Sequence, residues 1–311
     1  MEILEKDIYE ASQKVKELKM EISKKVFQND LIEKTIICLI GHILLEMPLA
    51  KTLTISTLSK CVDLGFNRIQ FTPDLLPSDL ITEIFNIKNS SFDIKKPIFN
   101  NFILADEINR APSKVQSALL EAMAEGSITI KETFVLEKPF LVLATQNPVE
   151  QSTYKLPEAQ LDRFSMKVKV DYPSFEQEKE MYKNVVYDDK KEVSKILSKQ
   201  DIFHLQDLVE KIYISDAIFD YVSKIIDATR NPENYLKDLK KYINFVSPRI
   251  STLRAAKALA LIERSFVIPE DIKKLVKNTL CHRLILSYEA IVDEIDEEYI
   301  IEQIVSKITV S

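Results

Sequence analysis

The chain has 311 residues, 46% hydrophobic and 29% charged, with a formal net charge of −6. That length exceeds one typical domain and the composition is that of a soluble globular protein, so two domains are expected. No apolar run approaches the roughly 18 residues of a bilayer span, and the acidic balance argues against a general nucleic-acid binder.

Residues 1–25 place Ile3, Ile8, Val15, Leu18 and Ile22 at helical spacing among charges. This predicts one or two amphipathic helices rather than a signal peptide. Asp30 to Ile40 reads as a more buried helix with Asp30 as its N-cap. His42 to Leu45 is a short apolar strand, followed by Glu46-Met47-Pro48-Leu49-Ala50-Lys51-Thr52 and a further helix. Strand, short loop, Lys-Thr and helix is the layout of a phosphate-binding loop. Lys51 would neutralise the β- and γ-phosphates, the Thr52 hydroxyl would ligate Mg²⁺, and backbone N–H groups at the helix start would cradle the phosphates.

A second strand is expected at Arg68–Phe71, and the Asn/Ser cluster within 86–96 marks a hairpin or an exposed insertion. The apolar run Phe102 to Ala105 has the length of a buried parallel strand and delivers two acids, Asp106 and Glu107. Open α/β sheets place their ligands just beyond the carboxyl ends of their strands. One acid there can hold a metal and its neighbour can orient an attacking water; an acidic loop is the alternative reading of the pair alone.

Ser113 to Glu125 is an amphipathic helix with a Ser cap and Gly126 at its end. Residues 127–136 read as a β-hairpin. Phe140 to Ala144 is another buried strand, running into Thr145-Gln146-Asn147-Pro148, which sets a polar amide beside the two acids. Leu156 to Phe164 is a short helix carrying Arg163, and Met166 to Val170 is a last strand.

Alternating strands and helices thus define an α/β core over 26–172, with a parallel sheet flanked by helices. It follows an N-terminal helical segment, 1–25, and precedes a region, 173–311, that is helical in pattern. That region's one pointed feature is Ser247-Pro248-Arg249 at a helix start. Cys38, Cys61 and Cys281 stand far apart and read as buried thiols in a reducing compartment, the cytoplasm. His42, His204 and His282 are scattered, so they read as packing or surface residues rather than metal ligands.

Four stretches in order, RIQFTPDLLPSD (68–79), LADEINRAPSKVQSALLEAM (104–123), LATQNPVEQ (143–151) and LPEAQLDRF (156–164), resemble the MoxR family of AAA+ ATPases. The resemblance covers nearly the whole chain after the first helix. It implies an AAA+ P-loop core, ATP and Mg²⁺ as ligands, and a helical lid over 173–311. Pro48, Leu49, Ala50, Lys51 and Thr52 match the end of the phosphate loop. Asp106 matches the acid that holds Mg²⁺ with Thr52, and Glu107 the general base or water-orienting acid. Asn147 matches the polar sensor of the γ-phosphate or attacking water. Arg163 matches the arginine finger that acts in a neighbouring subunit, and Arg249 the lid arginine that reaches back to the phosphates. Residues 80–96 and 127–136 correspond to β-hairpin insertions.

The same resemblance implies a hexameric ring with chaperone-like action on a client or adaptor protein, in some cases one with a von Willebrand A domain. Two other functions compete with it. One is a nucleotide-binding-impaired scaffold that keeps the fold and a protein-binding surface. The other is a nucleic-acid motor of the MCM kind, which shares the hairpins; the acidic net charge and the Lys131-Glu132 hairpin tip disfavour it.

The sequence departs from the family at the phosphate loop. The family pattern is G-x-P-G-x-A-K-T, whereas after Glu46 this chain reads M-P-L-A-K-T, with neither glycine and two residues fewer. Glycine belongs there because the loop takes positive φ and brings its backbone against the phosphates. Only three of the 311 residues are glycine, where average usage of roughly 7% would give about twenty. Elsewhere, as between Phe27 and Gln28, Ile81 and Thr82, Lys96 and Pro97, or Phe245 and Val246, the flanking residues match the family and one glycine is missing. Loss of one residue type that spares the Lys, Asp, Glu, Asn and Arg set points to a molecule carrying glycines at these places beyond the 311 residues. A truly glycine-poor variant is the alternative.

Overall fold

The structure, a computed structural model, describes residues 2–46, 51–81, 83–84, 94–95, 97–130, 132–146, 154–170, 172–186, 192–246 and 251–310. The chain divides into two compact units, one of Lys14–Arg163 and Val168–His204, the other of Met1–Gln13, Phe164–Lys167 and Leu205–Ser311.

Helix α1 (Glu2–Ser23) is a single helix. Ile8, Ala11, Val15, Leu18 and Ile22 are buried at alternating steps of three and four, which keeps one apolar stripe on one face. Helix α2 (Asn29–Ile37) continues into a 3₁₀ turn, Cys38–Ile40. Its N-cap is Gln28, without a side-chain cap bond, so Asp30 is not the cap. Asp30 instead sits in the first turn and accepts from Lys34 Nζ at 2.6 Å, an i,i+4 pair. Then come β1 (Ile43–Glu46), α3 (Lys51–Cys61) and β2 (Phe66–Gln70). The short strands β3 (Glu83–Ile84) and β4 (Ile94–Lys95) pair antiparallel, as expected for the first insertion.

Strand β5 (Phe102–Asp106) leads to α4 (Ser113–Glu125), which begins at Ser113 with Pro112 in the cap position. Gly126 closes α4 at φ 65°, a left-handed conformation that glycine adopts without steric cost, and donates to Ala122 O at 3.0 Å. The expected second hairpin is β6 (Ser127–Thr129) against β7 (Thr133–Val135), in register Ser127 to Val135. Strand β8 (Leu141–Gln146), the four-residue α5 (Glu158–Leu161), β9 (Met166–Lys169), α6 (Phe175–Val186) and α7 (Lys199–Lys211) follow.

The central sheet has the order β2-β5-β8-β1-β9. The pairs β2–β5, β5–β8 and β8–β1 are parallel. Ile43 to Leu45, Phe102 to Asp106 and Leu141 to Thr145 are buried throughout, which is why they read as unbroken apolar runs rather than alternating ones. Parallel strands cannot be joined by a tight turn, and a crossover needs a connection of a dozen or more residues. Helices α3 and α4 lie in such connections.

The other unit holds α8 (Asp216–Arg230), β10 (Ile243–Val246), α9 (Ser251–Leu261), α10 (Pro269–Leu280), β11 (Leu284–Leu286), α11 (Tyr288–Val292) and α12 (Glu297–Lys307). Tyr221, Ile225, Ile272, Leu275, Ile300, Ile301 and Ile304 form part of its buried core. The antiparallel β10–β11 pair was not expected from a region with helical patterning. Its strands are three or four residues long, too short for their period to show beside the helices. Buried Arg283 donates to Phe164 O at 2.8 Å and to Thr279 O, holding Phe164 at the end of α10 within this unit.

Candidate functional site

The parallel register brings the carboxyl ends of four strands into one row. Gln70 lies opposite Asp106, Ala105 opposite Ala144, and Glu46 opposite Gln146. Each strand end therefore contributes a polar residue at the same edge of the sheet, the edge where open α/β folds bind ligands. The bond from Phe71 N to Asp106 O, 2.9 Å, extends the β2–β5 ladder past the strand end.

Asp106 is buried, with 4% of its surface exposed. Its Oδ1 accepts from the Thr145 hydroxyl at 2.7 Å. Its Oδ2 accepts from Arg68 Nε at 3.1 Å and from Arg68 Nη2. Thr145 Oγ1 also accepts the backbone N–H of Glu107 at 2.9 Å. One fully buried hydroxyl thus donates to one acid and accepts from the backbone of the other.

Glu107 stands at φ 57°, ψ 50°, the left-handed region, as the cap of the 3₁₀ turn Ile108–Arg110. Its Oε2 accepts from Gln70 Nε2 at 2.9 Å and from Arg110 Nη1 at 3.0 Å. The segment beyond it is fixed by Gln116 on α4, which donates to Ile108 O, Ala111 O and Tyr154 O at 3.0–3.2 Å. Gln146 Nε2 donates to Glu46 Oε1 at 3.2 Å, closing the row between β8 and β1.

Of the residues singled out in the sequence, Asp106 and Glu107 come together at the end of β5. Lys51 and Thr52 open α3, four residues after β1, so a helix N-terminus follows the strand as a phosphate loop requires. Only the backbone of these two is described. Arg163 is half-buried just after α5, and Arg163 N donates to Gln160 O at 3.1 Å. Pro48, Leu49, Ala50, Asn147 and Arg249 lie outside the described residues.

Thr145, Arg68, Gln70 and Arg110 complete the site without standing out as sequence motifs. Arg68 and Gln70 stand two apart on one strand, so they share a face. A cation and an amide on one face of a strand predicted near an acidic strand end is the signal that could have found them.

The oxygen donors suit a hard divalent cation. Among the described residues no three His, Cys, Asp or Glu side chains group to hold a metal ion by themselves. Mg²⁺ does not need such a cage: it takes one or two carboxylates and completes its shell with water and substrate phosphates. Asp106 fits that pattern as the carboxylate.

The profile of the ATPase family associated with various cellular activities (AAA) matches residues 42–166, and that of the AAA lid domain matches residues 245–304. The chain is 44% identical to Chaperone MoxR1 from Mycobacterium tuberculosis over 297 aligned positions, covering 91% of this chain and 78% of the relative. The chain belongs to the MoxR family of AAA+ ATPases. This MoxR-family chain is likewise 44% identical to the uncharacterized protein YeaC from Bacillus subtilis, across 87% of this chain and 85% of that one. A crystal structure of a candidate ATPase from Cytophaga hutchinsonii superposes with a TM-score of 0.91 at 46% identity, covering 99% of this chain and 98% of the other. No described helix of this MoxR-family chain is long and apolar enough to cross a membrane.

Proposed function

We propose that this chain binds ATP with Mg²⁺, hydrolyses it within a ring of its own copies, and uses the cycle to remodel, assemble or activate a partner protein. Residues 26–172 serve as the nucleotide-binding core and residues 173–311 as the lid. The observation that carries this reading is the pair Asp106 and Glu107 at the end of a buried parallel strand, bracketed by Thr145 from the next strand.

Each residue has a role suited to phosphoryl transfer, which needs positioning and charge neutralisation more than covalent chemistry. Pro48, Leu49 and Ala50 contribute to nucleotide binding, Lys51 Nζ neutralises the β- and γ-phosphates, and Thr52 and Asp106 would supply oxygens to Mg²⁺. With Mg²⁺ held there, the site would gain positive charge to offset that of the phosphates. A Glu107 carboxylate oxygen orients the attacking water and accepts its proton. Asn147 holds that water or the γ-phosphate. Arg163 of a neighbouring copy and Arg249 of the lid add positive charge where negative charge develops.

A hexamer follows from a finger acting in trans, and a client or adaptor, such as a protein with a von Willebrand A domain, is the target. The chaperone name of the M. tuberculosis relative supports the remodelling role. The cytoplasm is the compartment we assign: Cys38 and Cys61 are buried free thiols, and Cys281, expected to be buried, is a partly exposed one.

The glycine-free loop E-M-P-L-A-K-T favours a second reading, a scaffold that no longer binds nucleotide. ATPase and ATP-binding assays on the parent chain and Glu107→Gln separate the two. Turnover by the parent, with Glu107→Gln losing turnover by about 10² or more while still binding ATP, supports the ATPase. Absence of nucleotide binding by the parent overturns it in favour of the scaffold.

A further inference from the structure

The carboxylate assigned to the metal is already held by a cation. Arg68 reaches from β2 and donates to Asp106 Oδ2 through both Nε, at 3.1 Å, and Nη2. The other oxygen, Oδ1, is taken by Thr145. Oδ1 faces the fully buried Thr145 hydroxyl and Oδ2 the half-exposed Arg68, so Oδ2 is the oxygen that a metal ion arriving from solvent would meet, and Arg68 covers it.

The two partners differ in their freedom to separate. The Asp106 side chain is 6% exposed, whereas that of Arg68 is 46% exposed. A buried carboxylate left without a positive partner is costly, because desolvation is no longer offset. A half-exposed guanidinium on a long stem can turn into water at little cost. Asp106 thus needs a cation in every state, while Arg68 does not need Asp106.

We propose that Arg68 is an exchangeable counter-ion: it holds Asp106 when no Mg²⁺–nucleotide is bound and is displaced from Oδ2 when one binds. This rests on the reading of Asp106 as the metal-holding acid. The exchange is also wired to the second acid. Arg68 Nη2 donates to Gln70 Oε1 at 3.1 Å, and Gln70 Nε2 donates to Glu107 Oε2 at 2.9 Å. Removing Arg68 from Oδ2 withdraws one of the bonds that orient the Gln70 amide. Arrival of the metal at Asp106 is thereby felt at Glu107. Arg68 is a positioning residue in this scheme, since it acts through the two acids.

The test measures binding rather than turnover. A fluorescent ATP analogue is titrated onto the full chain at fixed nucleotide and varied Mg²⁺, for the parent, Arg68→Ala, Arg68→Lys and Asp106→Asn. Competition predicts that Arg68→Ala reaches half-saturation at about tenfold lower Mg²⁺, equivalent to about 1.4 kcal/mol, with Arg68→Lys in between. Arg68→Ala should also melt at a lower temperature than the parent without Mg²⁺ and recover when Mg²⁺ and nucleotide are added.

If Arg68→Ala fails to fold, Arg68→Gln, which keeps a donor but no charge, carries the same expectation. Unchanged or higher Mg²⁺ demand in the Arg68 variants, with Asp106→Asn weakening the Mg²⁺ response, overturns the counter-ion alone. A parent that binds no nucleotide, or an Asp106→Asn variant with the parent's Mg²⁺ dependence, overturns the assignment of Asp106 and the counter-ion with it.

Discussion

Thr145 donates its hydroxyl to Asp106 Oδ1 at 2.7 Å, across the β5–β8 ladder, from a position with no solvent exposure. The same oxygen receives the Glu107 amide. Thr145→Val keeps the shape and removes both bonds, leaving a buried carboxylate oxygen and a backbone N–H unsatisfied. It should cost about 1–3 kcal/mol in urea unfolding and lower ATP turnover, while Thr145→Ser should restore most of both.

Arg163 tests whether the site is completed by a second copy. Arg163→Ala should lower turnover by about 10³-fold or more, the scale of a finger supplied in trans. Glu107→Gln should be inactive for a different reason. Mixing the two variants should regain part of the activity, because some junctions then combine an intact Glu107 with an intact Arg163. No recovery on mixing, with rings still formed, would place Arg163 in its own subunit's site.

His42 sets a pH dependence of stability. Its Nδ1 accepts from Val142 N and its Nε2 faces Met123 O, each at 3.1 Å, so the neutral ring carries its proton on Nε2. Burial lowers its pKa from 6.5 to about 4, against a smaller opposing effect of the Met123 carbonyl. Between those values the unfolded chain binds a proton that the folded chain refuses. Stability contributed by the neutral ring is therefore complete above pH 6.5 and falls as pH drops toward 4. Urea unfolding should lose about 2 kcal/mol from pH 7 to pH 5 through this group, and His42→Gln should flatten that slope.

The glycine question has a direct measurement. Intact mass spectrometry should give a mass above the 35.9 kDa of this sequence by whole glycine residues. A mass at 35.9 kDa establishes the glycine-poor variant and strengthens the scaffold reading.

The core strands and the hairpin at 127–136 are legible because their patterns are local, whereas the first hairpin, whose β3 lies before the Asn/Ser cluster, is bounded only by the family resemblance. Phe102 to Ala105 and Leu141 to Ala144 are apolar runs of strand length, and Gly126 marks a helix end by its left-handed conformation. The caps of α2 and α4 differ from expectation: Asp30 is a good cap by type but sits two residues inside the cap, in the first turn, paired to Lys34, and Ser113 opens α4 behind Pro112. The β10–β11 pair was invisible, because it joins residues 243–246 to 284–286 and no local period reports such a pairing. Asp106 and Glu107 stood out as adjacent acids after an apolar run. Arg68 and Thr145 did not, because their roles exist only through strand register: β2 and β8 flank β5 in the sheet but not in the sequence.

The left-handed backbone of Glu107 carries a consequence for how this chain can change. A non-glycine residue at φ 57° costs on the order of 1–3 kcal/mol, so glycine at this one position would relax the backbone while deleting the carboxylate. Selection for a sturdier fold and selection for the acid therefore pull on Glu107 in opposite directions. Screens that reward thermal stability alone should enrich substitutions here that leave the protein folded and inert.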